Sequence, residues 1–393
     1  MRYHVAMKKN HITNKQSHLH NSPLELLDGI TPEVFLKEYW HKKPLLIRGA
    51  IPGFQGLLSP NELAGLACEE NVQSRLVSFA KGQWRCEQGP FPEKRFSRLP
   101  ERDWTLLVQS VNHYMQEATD LLQQFNFIPH ARLDDLMVSY APDGGGVGPH
   151  FDSYDVFLLQ GLGQRLWRMS EQTDLSLVED APLRILKNFE TKQEWILSAG
   201  DMLYLPPHLA HWGIAVGECM TYSIGFRAPS VEELAAEFLN YLQEKRVFEG
   251  RYADPDLALQ AHAAEISPSM VKNVSAMLSG LKWNDEDVAE FLGEYLSEPK
   301  LHIVFDPPEH INEQAFAKKL LSSGIQLDFK SQLLFSNQAF YLNGERFDLP
   351  QSDWTCLLKL ADKRALTAEE VRECSSELMR FMYDSFLAGY LTI

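Results

Sequence analysis

The spacing of apolar residues changes twice along this chain, and each change marks a change of architecture. Up to about residue 130 helix and strand signals alternate. Ser59-Pro60-Asn61-Glu62 reads as a helix start, with serine as cap, proline at the first helical position and glutamate at the third. Leu106, Leu107, Val111 and Tyr114 recur at helical spacing, which predicts a helix from Trp104 to Leu122. From Asp135 onward the apolar runs shorten. They predict strands at Leu136–Tyr140, Asp155–Gln160, Leu166–Met169, Glu194–Leu197, Met202–Leu205 and Thr221–Phe226, punctuated by Gly, Pro and Asp. Many short strands with such turns predict a small antiparallel β-barrel with helices packed around it.

Helical spacing returns after Pro229. Ser230 and Glu233 form a second capping pair, followed by Leu234, Phe238, Tyr241 and Leu242 on one face. Val271–Leu281 and Val288–Tyr295 continue the helical part, and Pro307-Pro308 reads as a linker. Beyond it come a helix at Ala315–Leu321, strands at Gln332–Phe335 and Gln338–Leu342, and a hairpin turn at Asn343-Gly344. A helical stretch from Thr367 to Tyr390 opens with a third capping pair, Thr367 and Glu370. That order fits a winged-helix-like domain.

Charge sharpens the division. The net charge is −16, and residues 231–393 carry 27 acidic against 15 basic side chains, so one boundary is expected near Arg227-Ala228-Pro229. Such acidity disfavours nonspecific binding to nucleic acid or anionic membranes and favours a basic partner. A DNA-reading winged helix should be basic, yet residues 301–393 hold 13 acids and 9 bases, so no direct DNA binding is expected. No apolar run approaches the roughly 18 residues that span a bilayer. Residues 1–22 are polar and histidine-rich, and read as a disordered leader rather than a secretory signal. Five scattered cysteines without a C-x-x-C pair argue for a reducing, cytoplasmic setting.

The chemistry concentrates at His150-Phe151-Asp152, which ends the loop Asp143-Gly144-Gly145-Gly146-Val147-Gly148-Pro149. Residues two apart on extended chain share a face, so His150 and Asp152 can share one metal. A facial triad of two histidines and one carboxylate needs one more ligand. His211 is favoured, because it follows a strand and the tight Leu205-Pro206-Pro207 segment; His208 competes and would face the other way. The doublet alone is weak, since with 13 histidines and 53 acids such spacing also arises by chance. Arg165, beyond a turn expected at Gly161-Leu162-Gly163, is a candidate clamp for a dicarboxylic cosubstrate, with Arg168 as its alternative. Ser139 could donate to the same carboxylate. The glycine loop lacks the Gly-Lys-Ser/Thr of a phosphate loop and runs on into a strand.

Taken together, Gly144 to His150-x-Asp152, Tyr154-Asp155-Val156-Phe157, Gln160-Gly161, Trp167-Arg168, Gly200-Asp201, Pro206-Pro207, His211 and Tyr222-Ser223-x-Gly225-Phe226-Arg227-Ala228-Pro229 resemble the bacterial ribosomal oxygenases. These are JmjC-type 2-oxoglutarate-dependent enzymes. The resemblance reaches upstream to Lys42-Lys43-Pro44 and covers nearly everything after about residue 23. It implies an α+β fold: a double-stranded β-helix (cupin) oxygenase domain over 23–229, a helical dimerisation region over 230–300 and a winged-helix-like domain over 301–393. It also implies Fe(II) on His150, Asp152 and His211, and 2-oxoglutarate held by Arg165 with Ser139. Thr221 stands where relatives often carry Asn. The implied reaction is hydroxylation of an arginine in a basic large-subunit ribosomal protein, by a homodimer, with 2-oxoglutarate leaving as succinate and CO2. Asp143 is placed to meet the guanidinium. Histidine hydroxylation, lysine demethylation, a cupin without 2-oxoglutarate and a non-enzymatic winged-helix regulator are the competing readings.

Overall fold

The computed structural model describes residues 21–336 and 339–393, so the leader expected over 1–22 lies outside the described residues except for its last two positions. The chain divides into two compact units, one ending at Ala228 and the other running from Pro229 to Ile393.

The first unit is built on one antiparallel nine-stranded sheet. Its strands are β1 (Leu45–Ile47), β2 (Ser74–Ala80), β3 (Gln83–Gln88), β4 (Trp104–Val108), β5 (Leu133–Ala141), β6 (Val156–Ser170), β7 (Gln193–Ser198), β8 (Met202–Leu205) and β9 (Ala210–Phe226). They run in the order β1-β8-β6-β9-β5-β4-β2-β3, with β7 beside the second half of β6. Helices α1 (Pro32–Glu38), α2 (Pro60–Leu66), α3 (Glu93–Phe96) and α4 (Gln116–Gln123) accompany it. The capping box expected at Ser59 forms, with Ser59 Oγ accepting from Glu62 N and the Glu62 carboxylate accepting from Ser59 N.

The residues inside this unit form two layers. Phe35, Leu63, Leu106, Val108, Leu136, Val138, Phe157, Tyr204, Tyr222 and Phe226 fill the larger cluster, where α1 and α2 pack. The opposite face of the sheet gathers Val156, Leu158, Trp167, Met169, Leu197, Leu203 and Leu205. That second cluster is the barrel interior.

Two expectations are corrected. Trp104–Val108 is a strand, not the start of a helix, and the helical part is confined to α4 and a short turn at Val111–His113. All five β4 residues are buried. A strand covered on both faces shows a continuous apolar run, which periodicity cannot distinguish from a helix. Second, Gly161-Leu162-Gly163 is not a turn between two strands. It lies inside β6, which runs unbroken for 15 residues. The Thr221–Phe226 strand is likewise only the end of the 17-residue β9.

The second unit begins with α5 (Val231–Lys245), capped by Ser230 and Glu233, then α6 (Pro268–Ser279) and α7 (Asp285–Ser297). Leu234, Phe238, Tyr241, Leu242 and Phe291 join α5 to α7. The remainder comprises α8 (Glu313–Ser323), β10 (Ile325–Leu327), β11 (Leu333–Phe335), β12 (Phe340–Leu342), β13 (Glu345–Phe347), α9 (Trp354–Lys363), β14 (Ala365–Leu366), α10 (Ala368–Val371), α11 (Ser376–Leu387) and β15 (Leu391–Thr392). Asn343-Gly344 makes the hairpin between β12 and β13, as its sequence predicts. The stretch from Thr367 holds two helices rather than one. Phe316, Leu320, Leu357, Leu360, Leu378 and Met382 form its core. Among the described residues, no helix is long and apolar enough to cross a membrane.

Candidate metal centre

The glycine loop delivers His150 by lying along β9. Gly144 N donates to Ala215 O at 3.0 Å, and Ala215 N donates to Gly145 O at 2.9 Å. Further along, His150 N donates to His211 O at 2.9 Å and His211 N returns a bond to His150 O at 2.8 Å. Between these anchors the loop passes so close to β9 that a Cβ on Gly146 would stand 2.3 Å from Gly213 O. Only glycine permits that approach.

His150 and His211 thus become cross-strand neighbours, with ring centroids 4.2 Å apart. Asp152 follows on extended chain, and its Oδ2 lies 4.0 Å from His150 Nε2 and 3.6 Å from His211 Nε2. All three ligand atoms fall within 4.8 Å of one another, the only such group of three or more among the described residues. Each imidazole is oriented by the carbonyl two residues before it: Nδ1 of His150 contacts Gly148 O at 2.9 Å, and Nδ1 of His211 contacts Leu209 O at 2.9 Å. With Nδ1–H donating, both Nε2 lone pairs face Asp152, as metal-ligating histidines require. Burial, helped by the neighbouring His150, pushes the His211 ring down to about 4, so it is neutral near pH 7. Two imidazoles and one carboxylate form the donor set of a non-haem Fe(II) site.

His208 is excluded from this group. It is exposed, with φ +64, and its backbone N–H donates to Asp152 O at 2.7 Å, which holds the loop. Tyr154 is a contributor that sequence reasoning missed. Its phenol is hydrogen-bonded to Asp152 and pushed up by burial and by the carboxylates of Asp152 and Asp135. Asp155 anchors the far end of the loop. Its fully buried carboxylate accepts from Tyr204 Oη at 2.5 Å and lies 2.9 Å from His41 Nε2.

Arg165 lies on the same barrel face. Only 5% exposed, it has no carboxylate within ion-pair distance among the described residues. Its Nη2 donates to Cys219 Sγ at 3.4 Å, its Nε lacks a partner, and its guanidinium is 5.8 Å from the Trp167 ring. That ring is in turn 5.9 Å from the ring of His211. Burying a guanidinium without a counter-charge is costly, so the pocket suits an incoming carboxylate. Arg168, by contrast, pairs with Glu194 at 3.4 Å. Ser139 is buried on β5 opposite Thr221 of β9, its hydroxyl donating to Thr221 O at 3.5 Å. Asp143 is already engaged by Arg102 at 3.1 Å and by Gly217 N at 3.0 Å, which leaves it less free for a guanidinium than its position in the sequence suggests.

The JmjC domain family model matches residues 120–234, and the ROXA-like winged helix model matches residues 280–392. The chain is 37% identical over 341 residues to the ribosomal protein uL16 3-hydroxylase of Escherichia coli K12, covering 85% of this chain and 90% of that protein. It is 42% identical over 214 residues to a probable ribosomal oxygenase of Haemophilus influenzae, covering 53% of this chain and 52% of that one. Structures of the E. coli ribosomal oxygenase YcfD superpose with a TM-score of 0.78 at 34% identity, covering 92% of this chain and 97% of that one. They include complexes of that protein with cobalt and 2-oxoglutarate and with cobalt and succinic acid.

Proposed function

The chain belongs to the ribosomal oxygenases, and on that premise we propose that it is an Fe(II)- and 2-oxoglutarate-dependent cytoplasmic hydroxylase of a large-subunit ribosomal protein, acting on an arginine side chain. The observation that carries this reading is Arg165, a buried cation without an acidic partner on the barrel face that also holds a two-histidine, one-carboxylate cluster.

His150, Asp152 and His211 would hold the metal, with Nε2 of each histidine kept available by its Nδ1 bond to the chain. The cobalt in the relative's complexes stands in for iron, a divalent ion of similar ligand preference. When bound, the iron and its keto-acid cosubstrate supply the oxygen activation needed to hydroxylate a carbon, the cosubstrate leaving as succinate and CO2. Arg165 would bind a carboxylate of the cosubstrate, because a planar guanidinium can engage both oxygens. Ser139 adds a hydroxyl from β5. Trp167, Met169, Leu158 and Leu203 keep the interior apolar, which strengthens the charge–charge contact at Arg165.

Residues 23–229 carry the chemistry, residues 230–300 form the dimerisation region and residues 301–393 a winged-helix-like domain. Exposed Met270, Val271, Met277 and Leu278 on α6 support a second copy as partner. A basic ribosomal protein suits a chain of net charge −16, because opposite charge speeds encounter.

The test is turnover of purified protein with Fe(II), 2-oxoglutarate and the basic proteins of the large ribosomal subunit, read by mass spectrometry. One protein should gain a single oxygen on an arginine, with matching succinate release. Oxygen found on a histidine, or loss of methyl groups from lysine, would replace the arginine assignment. Absence of both product and succinate would overturn the reading.

A further inference from the structure

Strand β6 changes phase in its middle, and this decides what faces the barrel interior. Before Gly161 the inward residues are even-numbered: Val156 and Leu158 belong to the interior cluster, and Gln160 bonds to Thr221. After Gly163 they are odd-numbered: Trp167 and Met169 belong to that cluster, and Arg165 reaches Cys219. The pairing with β9 slips at this point. Gln160 is opposite Thr221 and Leu162 is opposite Met220, one residue more on β6, and then Gln164 is opposite Val216, two more on β9, so the register changes by one residue overall. A one-residue slip moves every following side chain to the other face. Without it, Gln164 and Leu166 would point inward and Arg165 outward.

The two glycines tolerate this bulge and give little to hold it. Gly163 has φ +61, and a Cβ there would stand 1.9 Å from Glu218 O. A Cβ on Gly161 would meet the Tyr222 ring at 2.4 Å. What spans the bulge is the side chain of Gln160, which is fully buried. Its Nε2 donates to Leu162 O at 2.8 Å, and its Oε1 accepts from Thr221 Oγ1 at 3.0 Å. One amide thereby ties Leu162 of β6 to Thr221 of β9 across the irregular pairing. The backbone of Gln160 is held as well, its N–H donating to Asp201 O and its carbonyl accepting from Gly200 N, at 2.9 and 2.8 Å.

We propose that Gln160 is a positioning residue whose side-chain amide locks the bulge at Gly161–Gly163 and so keeps Arg165 aimed into the barrel. The consequence for cosubstrate rests on the function proposed above, whereas the strand phase does not. Gln160 also takes up the one hydroxyl proton of Thr221.

The test compares the full-length protein with Gln160→Met, which keeps the volume and removes both amide bonds. A second variant, Gln160→Met with Thr221→Val, removes the hydroxyl left without a partner, so a fold lost only for that reason returns. Hydrogen exchange of the amides from Gly161 to Arg165, without metal or cosubstrate, reads the lock directly. Titrations with Mn(II) and then 2-oxoglutarate read its consequence. Both variants should exchange faster over those residues and bind 2-oxoglutarate about tenfold more weakly, with Mn(II) affinity changed less than twofold. A merely structural role would be relieved by Thr221→Val, and here the weakened 2-oxoglutarate binding persists. Exchange and cosubstrate affinity both equal to those of the unmodified protein would overturn the proposal. If the unmodified protein binds no 2-oxoglutarate while Gln160→Met still loosens the bulge, the cosubstrate reading falls and the lock stands.

Discussion

His150 and His211 are opposite members of one hydrogen-bonded cross-strand pair, each donating its backbone N–H to the other's carbonyl, at 2.9 and 2.8 Å. The imidazoles are therefore set by backbone pairing before any metal arrives. Each ring is then fixed by the carbonyl two residues earlier. A preformed pair of this kind loses little conformational entropy when it binds an ion.

Acidification should weaken the fold through His211. Burial lowers its pKa to about 4 in the folded chain, against an ordinary value near 6.5 in the unfolded one. The unfolded state therefore binds the proton more readily, and the stability this group contributes is full above pH 6.5 and falls as pH drops toward 4. Denaturant unfolding of metal-free protein should show this loss in the unmodified chain and a shallower one in His211→Phe. Parallel pH profiles would contradict it.

Arg165→Ala should weaken 2-oxoglutarate binding by roughly 2–3 kcal/mol, or about 30- to 150-fold, the usual scale for a charge-assisted pair. Arg165→Lys should recover only part, because an ammonium cannot reproduce the two parallel bonds of a guanidinium. Metal affinity should stay within twofold in both variants. Calorimetric titration with Mn(II) and 2-oxoglutarate separates the two terms.

Two left-handed glycines on neighbouring strands should behave differently. Gly163→Ala forces a Cβ against Glu218 O, whereas a Cβ on Gly217, at φ +70, meets nothing within 4 Å. The first should cost about 3 kcal/mol or more, and the second only the ~1–2 kcal/mol of a strained backbone. Thermal unfolding of the two variants checks the difference.

Asp155→Ala should destabilise the first unit by about 2–4 kcal/mol, since it leaves the Tyr204 hydroxyl and His41 without their shared partner. Because Asp155 closes the loop that carries Asp152, metal affinity should fall as well. Unfolding and Mn(II) titration on one preparation test both effects.

The His-Asp-His cluster was legible because its parts carry distinct signals: glycines before a His-x-Asp doublet, and a histidine four residues past a double proline. The barrel was legible from its turn spacing. The β4 strand was not, because a strand buried on both faces has the apolar density of a helix. Nor was the inward aim of Arg165 legible from pattern, since a bulge changes the parity of everything after it and glycines there read equally well as a turn. Gln160 left one trace, a lone amide ending the apolar run Val156–Leu159. Tyr154 appeared only within the motif Tyr154-Asp155-Val156-Phe157, where nothing in the sequence marks its phenol as a partner of Asp152.

On the function proposed above, one barrel face would hold both a metal, on His150, Asp152 and His211, and a keto acid, on Arg165. Anaerobic addition of Fe(II) and then 2-oxoglutarate tests it most directly, through the visible charge-transfer band a chelated keto acid produces on ferrous iron. The band should form in the unmodified protein, be absent in His211→Ala, and require far more 2-oxoglutarate in Arg165→Ala. A band that forms equally in all three proteins, or in none, would contradict the account.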